Sequence, residues 1–133
     1  MRRMIVRADG CSRGNPGPSA CGIVVEHEGE VVFSGGRRLG RATNNVAEYE
    51  GLLYGLVTAR QLGATAIEVR LDSELLVRQV EGSYKVRSPK LKGMHARAMA
   101  ALKGFEEWSV VYVPREENKA ADRAANDALD GRE

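Results

Sequence analysis

Aromatic residues make up only 5% of this 133-residue sequence, which argues against a single-strand nucleic-acid binder built on base stacking. Cysteine is as scarce: Cys11 and Cys21 are the only two, with neither the close pairs of a zinc site nor the density of a disulfide scaffold. They are expected to be free thiols, near enough for occasional oxidation if residues 4–28 form a hairpin. Of the two histidines, His27 is expected to be solvated at a turn, and His95 solvated or phosphate-facing, with no ligand partner at metal spacing. No apolar run approaches a membrane span, and Met1-Arg2-Arg3-Met4 leads into a strand rather than a signal-peptide core. The cytoplasm is the expected compartment. The length suits one domain over 1–133, expected to be a monomer, and 43% apolar with 29% charged residues is ordinary for a globular chain.

The net charge of +2 is unremarkable, but its distribution is uneven. From Tyr84 to Lys103 there are six basic residues (Lys85, Arg87, Lys90, Lys92, Arg97 and Lys103) and no acidic one. Such a segment can neutralise nucleic-acid phosphates, and it can equally be a solvated helix face.

Ile5 and Val6 begin a short strand that leads to Asp9, followed at once by a turn-rich loop with Gly10, Ser12, Gly14, Asn15, Pro16, Gly17 and Pro18. A loop of this kind can bring backbone N–H groups and the Asn15 amide to a phosphate or sugar, or can be a plain hairpin turn beside a surface aspartate. Strands over Cys21–Glu26 and Val31–Leu39, joined by a tight turn at His27-Glu28-Gly29-Glu30, complete an antiparallel meander. A helix capped by Thr43 or an Asn follows, with Tyr49, Leu52, Leu53, Leu56, Val57 and Leu62 at helical spacing and Gly63 at its end. On it Asn44 and Asn45 share a face with Glu48, as substrate contacts or as a capping constellation. The strand Ala66–Leu71 ends in a second carboxylate, Asp72, equivalent in position to Asp9, which could instead cap the next helix. Leu75, Leu76, Gln79 and Val80 mark that short helix, and Leu91–Leu102 another, with Met94 and Met99 as core filling. After a strand at Trp108–Val113, a last helix packs through residues 121, 124, 125 and 128. That leaves Asn118, Asp122 and Asn126 on its outer stripe.

Asp9, Glu48, Asp72 and Asp122 are therefore four carboxylates on strand ends and helices. Hard oxygen donors suit Mg²⁺ or Mn²⁺ rather than zinc, and a converging set predicts bound metal or unusual protonation, although four acids out of 18 can also coincide. Two such ions serve in-line phosphoryl transfer, which is nuclease chemistry.

Asp9-Gly10 with Gly14-Asn15-Pro16-Gly17, Thr43-Asn44-Asn45-x-x-Glu48, Asp72-Ser73, and Asn118-x-x-x-Asp122-x-x-Ala125-Asn126 together resemble type 1 ribonuclease H, in particular its compact branch. The resemblance runs from residue 4 to about 129. It implies an α/β fold, a mixed five-stranded sheet of three antiparallel strands and two parallel additions with helices on both faces. It also implies metal-dependent endonucleolytic cutting of the RNA strand of an RNA–DNA hybrid, leaving 5′-phosphate and 3′-hydroxyl ends. By motif, Asp9, Glu48, Asp72 and Asp122 would hold two Mg²⁺ or Mn²⁺ ions. Asn15, Asn44 and Asn45 would touch the minor groove, with Gly10 and Ser12 beside them, and Thr43 would meet a DNA-strand phosphate.

The sequence departs from the family in two places. Many members carry a histidine before the last helix, where this chain has Arg115-Glu116-Glu117. Arg115 is the candidate catalytic substitute, the alternative being a salt bridge to Glu116 or Glu117. The family's basic protrusion is also absent, leaving Lys85 and Arg87, with Lys90 and Lys92, as candidate DNA-strand contacts. A noncatalytic hybrid-binding module and a superfamily nuclease for another duplex are the rival readings. Actinobacterial relatives can carry a phosphatase-like domain after this one, so a C-terminal fusion in a longer parent chain is conceivable.

Overall fold

The computed structural model describes residues 1–132. Strands β1 (Arg3–Ser12), β2 (Gly17–His27) and β3 (Glu30–Ala42) form the antiparallel meander. Then come α1 (Asn44–Gln61), β4 (Ala66–Leu71), α2 (Glu74–Glu81), α3 (Pro89–Lys103), β5 (Glu107–Tyr112), a single 3₁₀ turn at Arg115–Glu117 and α4 (Lys119–Asp130). The sheet order is β3-β2-β1-β4-β5, with β4 and β5 added in parallel as expected.

The first three strands are longer than hydrophobic patterning suggested. β1 runs three residues past Asp9, so that aspartate lies within a paired strand rather than at its end. Glu28 and Gly29 both take positive φ, which a two-residue hairpin turn between twisted strands requires. The 3₁₀ turn at Arg115 had no sequence signal.

Pleating sorts the side chains of β1. Met4, Val6 and Ala8 are buried, and Val6 packs towards α1, so that Gly10, next in the alternation, also meets that helix. Thr43 caps α1 by accepting a hydrogen bond from the Val46 N–H at 3.2 Å. Tyr49, Leu52 and Leu56 are buried under the sheet with Ile23, Ile67 and Val69, whereas Val57, expected in the stripe, is 48% exposed. α1 packs with α3 on one face of the sheet, and α4 covers β2, β3 and β1 on the other.

Two glycines set these distances. A Cβ at Gly10 would fall 2.2 Å from the Ala47 carbonyl carbon and 2.4 Å from the Glu48 nitrogen; one at Gly22 would fall 2.3 Å from the Ala125 nitrogen. Each helix therefore lies closer to the sheet than any side chain would allow.

Cys21 pairs with Gly10 and reaches towards Gly51 of α1, whereas Cys11, one step along, belongs to the opposite face. The hairpin does bring the two cysteines to adjacent rungs of the β1–β2 ladder, as expected, but their thiols point to opposite sides of the sheet. His27 is not simply solvated, since its Nδ1 lies 3.1 Å from the Arg3 carbonyl oxygen.

Candidate active site

The parallel register of β1 and β4 aligns Ala8 with Leu71, which puts Asp9 and Asp72 side by side one residue later. Gly10 lets the first turns of α1 close in, which brings Glu48 to the same place. One carboxylate oxygen from each of Asp9, Glu48 and Asp72 lies within 4.8 Å of the other two. Asp122, from α4, falls outside that mutual set, but it lies near enough to add to the upward push on the Asp9 carboxyl.

Asp72 is not a helix cap. Ser73 takes that position, accepting from the Leu76 N–H at 3.2 Å, and its hydroxyl also hydrogen-bonds Glu48. Asn118 corrects the reading of an exposed stripe on α4. It is fully buried, donating through Nδ2 to the Ala8 carbonyl oxygen at 2.9 Å and to Asp72 Oδ2 at 3.3 Å. Its Oδ1 has no partner among the described residues. Asn118 thus ties β1, Asp72 and α4 together in the layer beneath the carboxylates.

Burial, the Asp72 charge and the contact with Asp122 push the Asp9 carboxyl up to about 8, against one lowering effect, the 2.9 Å hydrogen bond from the Gly10 N–H. Burial raises Glu48 to about 7, with Asp72 adding to the rise and the Ser73 hydroxyl and Arg115 opposing it. A protein that crowds oxygen ligands until they resist ionisation has a site that a divalent cation would relieve. The donor set fits a hard cation: it is all oxygen, partly buried and in excess negative charge, with no histidine or cysteine ligand in the group.

Around this centre, Asn15 Oδ1 accepts from the Asn44 N–H at 3.0 Å, fastening the β1–β2 loop to the start of α1. Asn15, Thr43 and Asn45 are exposed beside the carboxylates' helix, and Asn44 is half-buried. Gly10 and Ser12 differ from these. Gly10 is buried against α1, and the Ser12 hydroxyl donates to backbone carbonyls of Gly14 and Ala42, so both shape the loop from within. Arg115 is exposed and, among the described residues, pairs with neither Glu116 nor Glu117; its charge acts on Glu48.

The basic segment divides. Lys90 and Arg97 join Arg41 along a groove of about 490 Å³ between β3, α1 and α3. Lys85 and Lys92 line a second hollow of about 380 Å³ with Tyr84 and His95, while Arg87 is exposed on the connection. His95 is half-buried at the wall of that hollow, its ring donating from Nε2 to the Gln79 carbonyl oxygen at 3.0 Å. Sequence reading missed Ser73 as a partner of Glu48, although its place before Glu74 is a capping signature, and missed Arg13, for which no local signal exists.

An acidic centre at the carboxyl ends of β1 and β4, in a 3-2-1-4-5 sheet flanked by helices, defines a protein of the ribonuclease H fold class. The family model described as "Reverse transcriptase-like" matches residues 7–128. The ribonuclease HI of Halobacterium salinarum is 46% identical over 123 residues, which are 92% of this chain and 62% of that protein. A bifunctional protein of Mycobacterium tuberculosis is 46% identical over 131 residues, covering 96% of this chain and 36% of that one. The solved structure of LC11-RNase H1 in complex with an RNA/DNA hybrid superimposes with a TM-score of 0.91 at 39% identity, over 96% of this chain and 97% of that one. The chain belongs to the type 1 ribonuclease H family. It spans 62% and 36% of the length of the two curated relatives. Among the described residues, no helix is long and apolar enough to cross a membrane.

Proposed function

We propose that this protein is an endonuclease that hydrolyses the RNA strand of RNA–DNA hybrids with two divalent cations, Mg²⁺ or Mn²⁺, leaving 5′-phosphate and 3′-hydroxyl ends. The observation that carries the reading is the convergence of Asp9, Glu48 and Asp72 oxygens within 4.8 Å of one another. Asp9 would serve both ions, Glu48 and Asp72 one of them, and Asp122 the other. Bound divalent ions supply the charge that activates a water and stabilises a leaving oxygen in phosphodiester hydrolysis.

The chain's own groups hold the hybrid in place. Asn15 spends its carbonyl oxygen on Asn44, which leaves its NH₂ to donate to a 2′-hydroxyl, with Asn44 and Asn45 alongside. The Thr43 oxygen accepts from the Val46 N–H, so its hydroxyl hydrogen is available for a DNA-strand phosphate. Arg115, without an ion-pair partner among the described residues, would face the scissile phosphate across from Glu48. Lys85 and Arg87 would follow the DNA strand, with the groove of Arg41, Lys90 and Arg97 beside it. We read the protein as a monomer, and relatives that are longer support a fusion partner in some parent chains. The cytoplasm is the compartment we assign.

Cleavage of a strand-labelled hybrid with and without Mg²⁺ or Mn²⁺ tests the proposal. Metal-dependent cutting of the RNA strand alone is expected, with Asp9→Asn lowering the rate at least about a thousandfold, the scale of losing a central charge-stabilising group. Unchanged cleavage by Asp9→Asn, equal cutting of double-stranded DNA, or binding without cutting would each overturn it.

A further inference from the structure

Asp122 is the outlying carboxylate of the four. Among the described residues, the side chain that hydrogen-bonds its carboxylate is Asn126, one turn on along α4. Asn126 Nδ2 donates to the Asp122 carbonyl oxygen at 3.0 Å and to Asp122 Oδ1 at 3.3 Å. On its other side, Asn126 Oδ1 accepts from Arg13 Nη2 at 3.1 Å. The amide therefore has a donor on one side and acceptors on the other, which fixes its orientation without ambiguity. Arg13 is itself set by an ion pair from Nη1 to Asp130 Oδ1 at 2.5 Å, so its planar fork spans two residues of α4.

Arg13 lies in the loop that carries Asn15. That loop is held at its base by the Arg13 N–H to the Pro18 carbonyl oxygen at 2.8 Å, and across the site by Asn15 to Asn44. A continuous set of hydrogen bonds thus runs from the loop through Arg13 and Asn126 to the Asp122 carboxylate. We propose that Asn126 is a positioning residue for Asp122 and that Arg13 makes its setting depend on the β1–β2 loop. The loop that meets the RNA strand and the carboxylate that completes the metal centre then move as one unit. The proposal rests on the proposed function in giving Asp122 a ligand's role. The surface ion pair of Arg13 adds little stability by itself; what it contributes is orientation.

Manganese binding to the hybrid-free protein, followed by isothermal titration calorimetry, reads the setting of Asp122 without any cleavage. Asn126→Ala keeps a good helix former in α4 and is expected to weaken Mn²⁺ binding about tenfold, the usual effect of removing a hydrogen-bond partner of a metal ligand. In hybrid cleavage it should lower kcat about tenfold and leave KM within about twofold, because the lost interaction serves the reacting state rather than substrate docking. Arg13→Ala should reproduce part of both losses, about threefold each, and add nothing in the Asn126→Ala background, since neighbours in one network do not act additively. Arg13→Lys keeps the charge opposite Asp130 but not the fork, and should behave like Arg13→Ala. Unchanged Mn²⁺ affinity in Asn126→Ala, independent losses in the double variant, or full rescue by Arg13→Lys would overturn the relay. Failure of the wild type to cut hybrids would instead overturn the proposed function, leaving the calorimetric result to judge the relay alone.

Discussion

At Asp9 the requirements of stability and of the site oppose each other. The residue is only 5% exposed, and burial with Asp72 and Asp122 nearby raises its carboxyl to about 8, while Glu48 rises to about 7. Both folded values lie above those of an unfolded chain. The stability these groups contribute is therefore fully present below about pH 4 and is lost as pH rises through the folded values. Without divalent metal, Asp9→Asn is expected to raise stability at pH 8 by about 1–3 kcal/mol, because the amide accepts from the Gly10 N–H without a buried charge, and to leave it unchanged near pH 4. Thermal unfolding in a chelator at the two pH values checks this; a variant that melts below wild type at pH 8 would contradict it. Added Mg²⁺ or Mn²⁺ should stabilise the wild type more at pH 8 than at pH 5, where protons compete for the same oxygens.

Between elements, contact distance decides where the carboxylates meet. Gly22 lets α4 press its backbone onto β2, and α4 carries Asp122 and follows directly on the buried Asn118. In Gly22→Ala the new methyl meets backbone on α4 from three residues at once, so no side chain can rotate away. The helix must back off, at a cost of about 1–3 kcal/mol, and cleavage should fall more than stability predicts as Asp122 leaves the site. Gly93 in α3 is the counterexample. Nothing lies within 4 Å of a Cβ there and its φ is helical, so Gly93→Ala should stabilise by about 0.5–1 kcal/mol. Urea unfolding of the two variants reads the difference in sign.

Across the molecule, the basic segment from Lys85 to Arg97 divides between two hollows that flank α3. The turn between α2 and α3 is held inward: Tyr49 donates to Gln79 Oε1 at 2.7 Å, and Gln79 Nε2 reaches the Lys85 carbonyl oxygen. A chain without the basic protrusion thus pins its short basic connection to the helix that carries Glu48. In an Asp9→Asn background, Lys85→Ala with Arg87→Ala should weaken hybrid binding about threefold to tenfold at moderate salt. The slope of log K against log salt should fall by about one for each lysine or arginine removed. Fluorescence anisotropy from 50 to 200 mM salt, roughly the range over which phosphate contacts are lost, measures both. An unchanged slope would remove these residues from the interface.

The sequence by itself determined the element order, the strand-to-carboxylate junction of Asp72, the cap at Thr43 and the four acids themselves, because periodicity, capping and motif spacing are local properties of the chain. Burial lay outside its reach. Asn118 reads as the start of an exposed polar stripe at i, i+4, yet it is wholly enclosed, since the approach of α4 to β2 depends on Gly22 and Gly36 some ninety residues earlier. The opposite faces of Cys11 and Cys21, the hydroxyl of Ser73 on Glu48, and the link from Arg13 to Asn126 all follow from register and helix placement. Those are settled only when distant segments pack. The tertiary structure decided which carboxylates converge, how far burial raises their proton affinity, and which neutral residues hold them there.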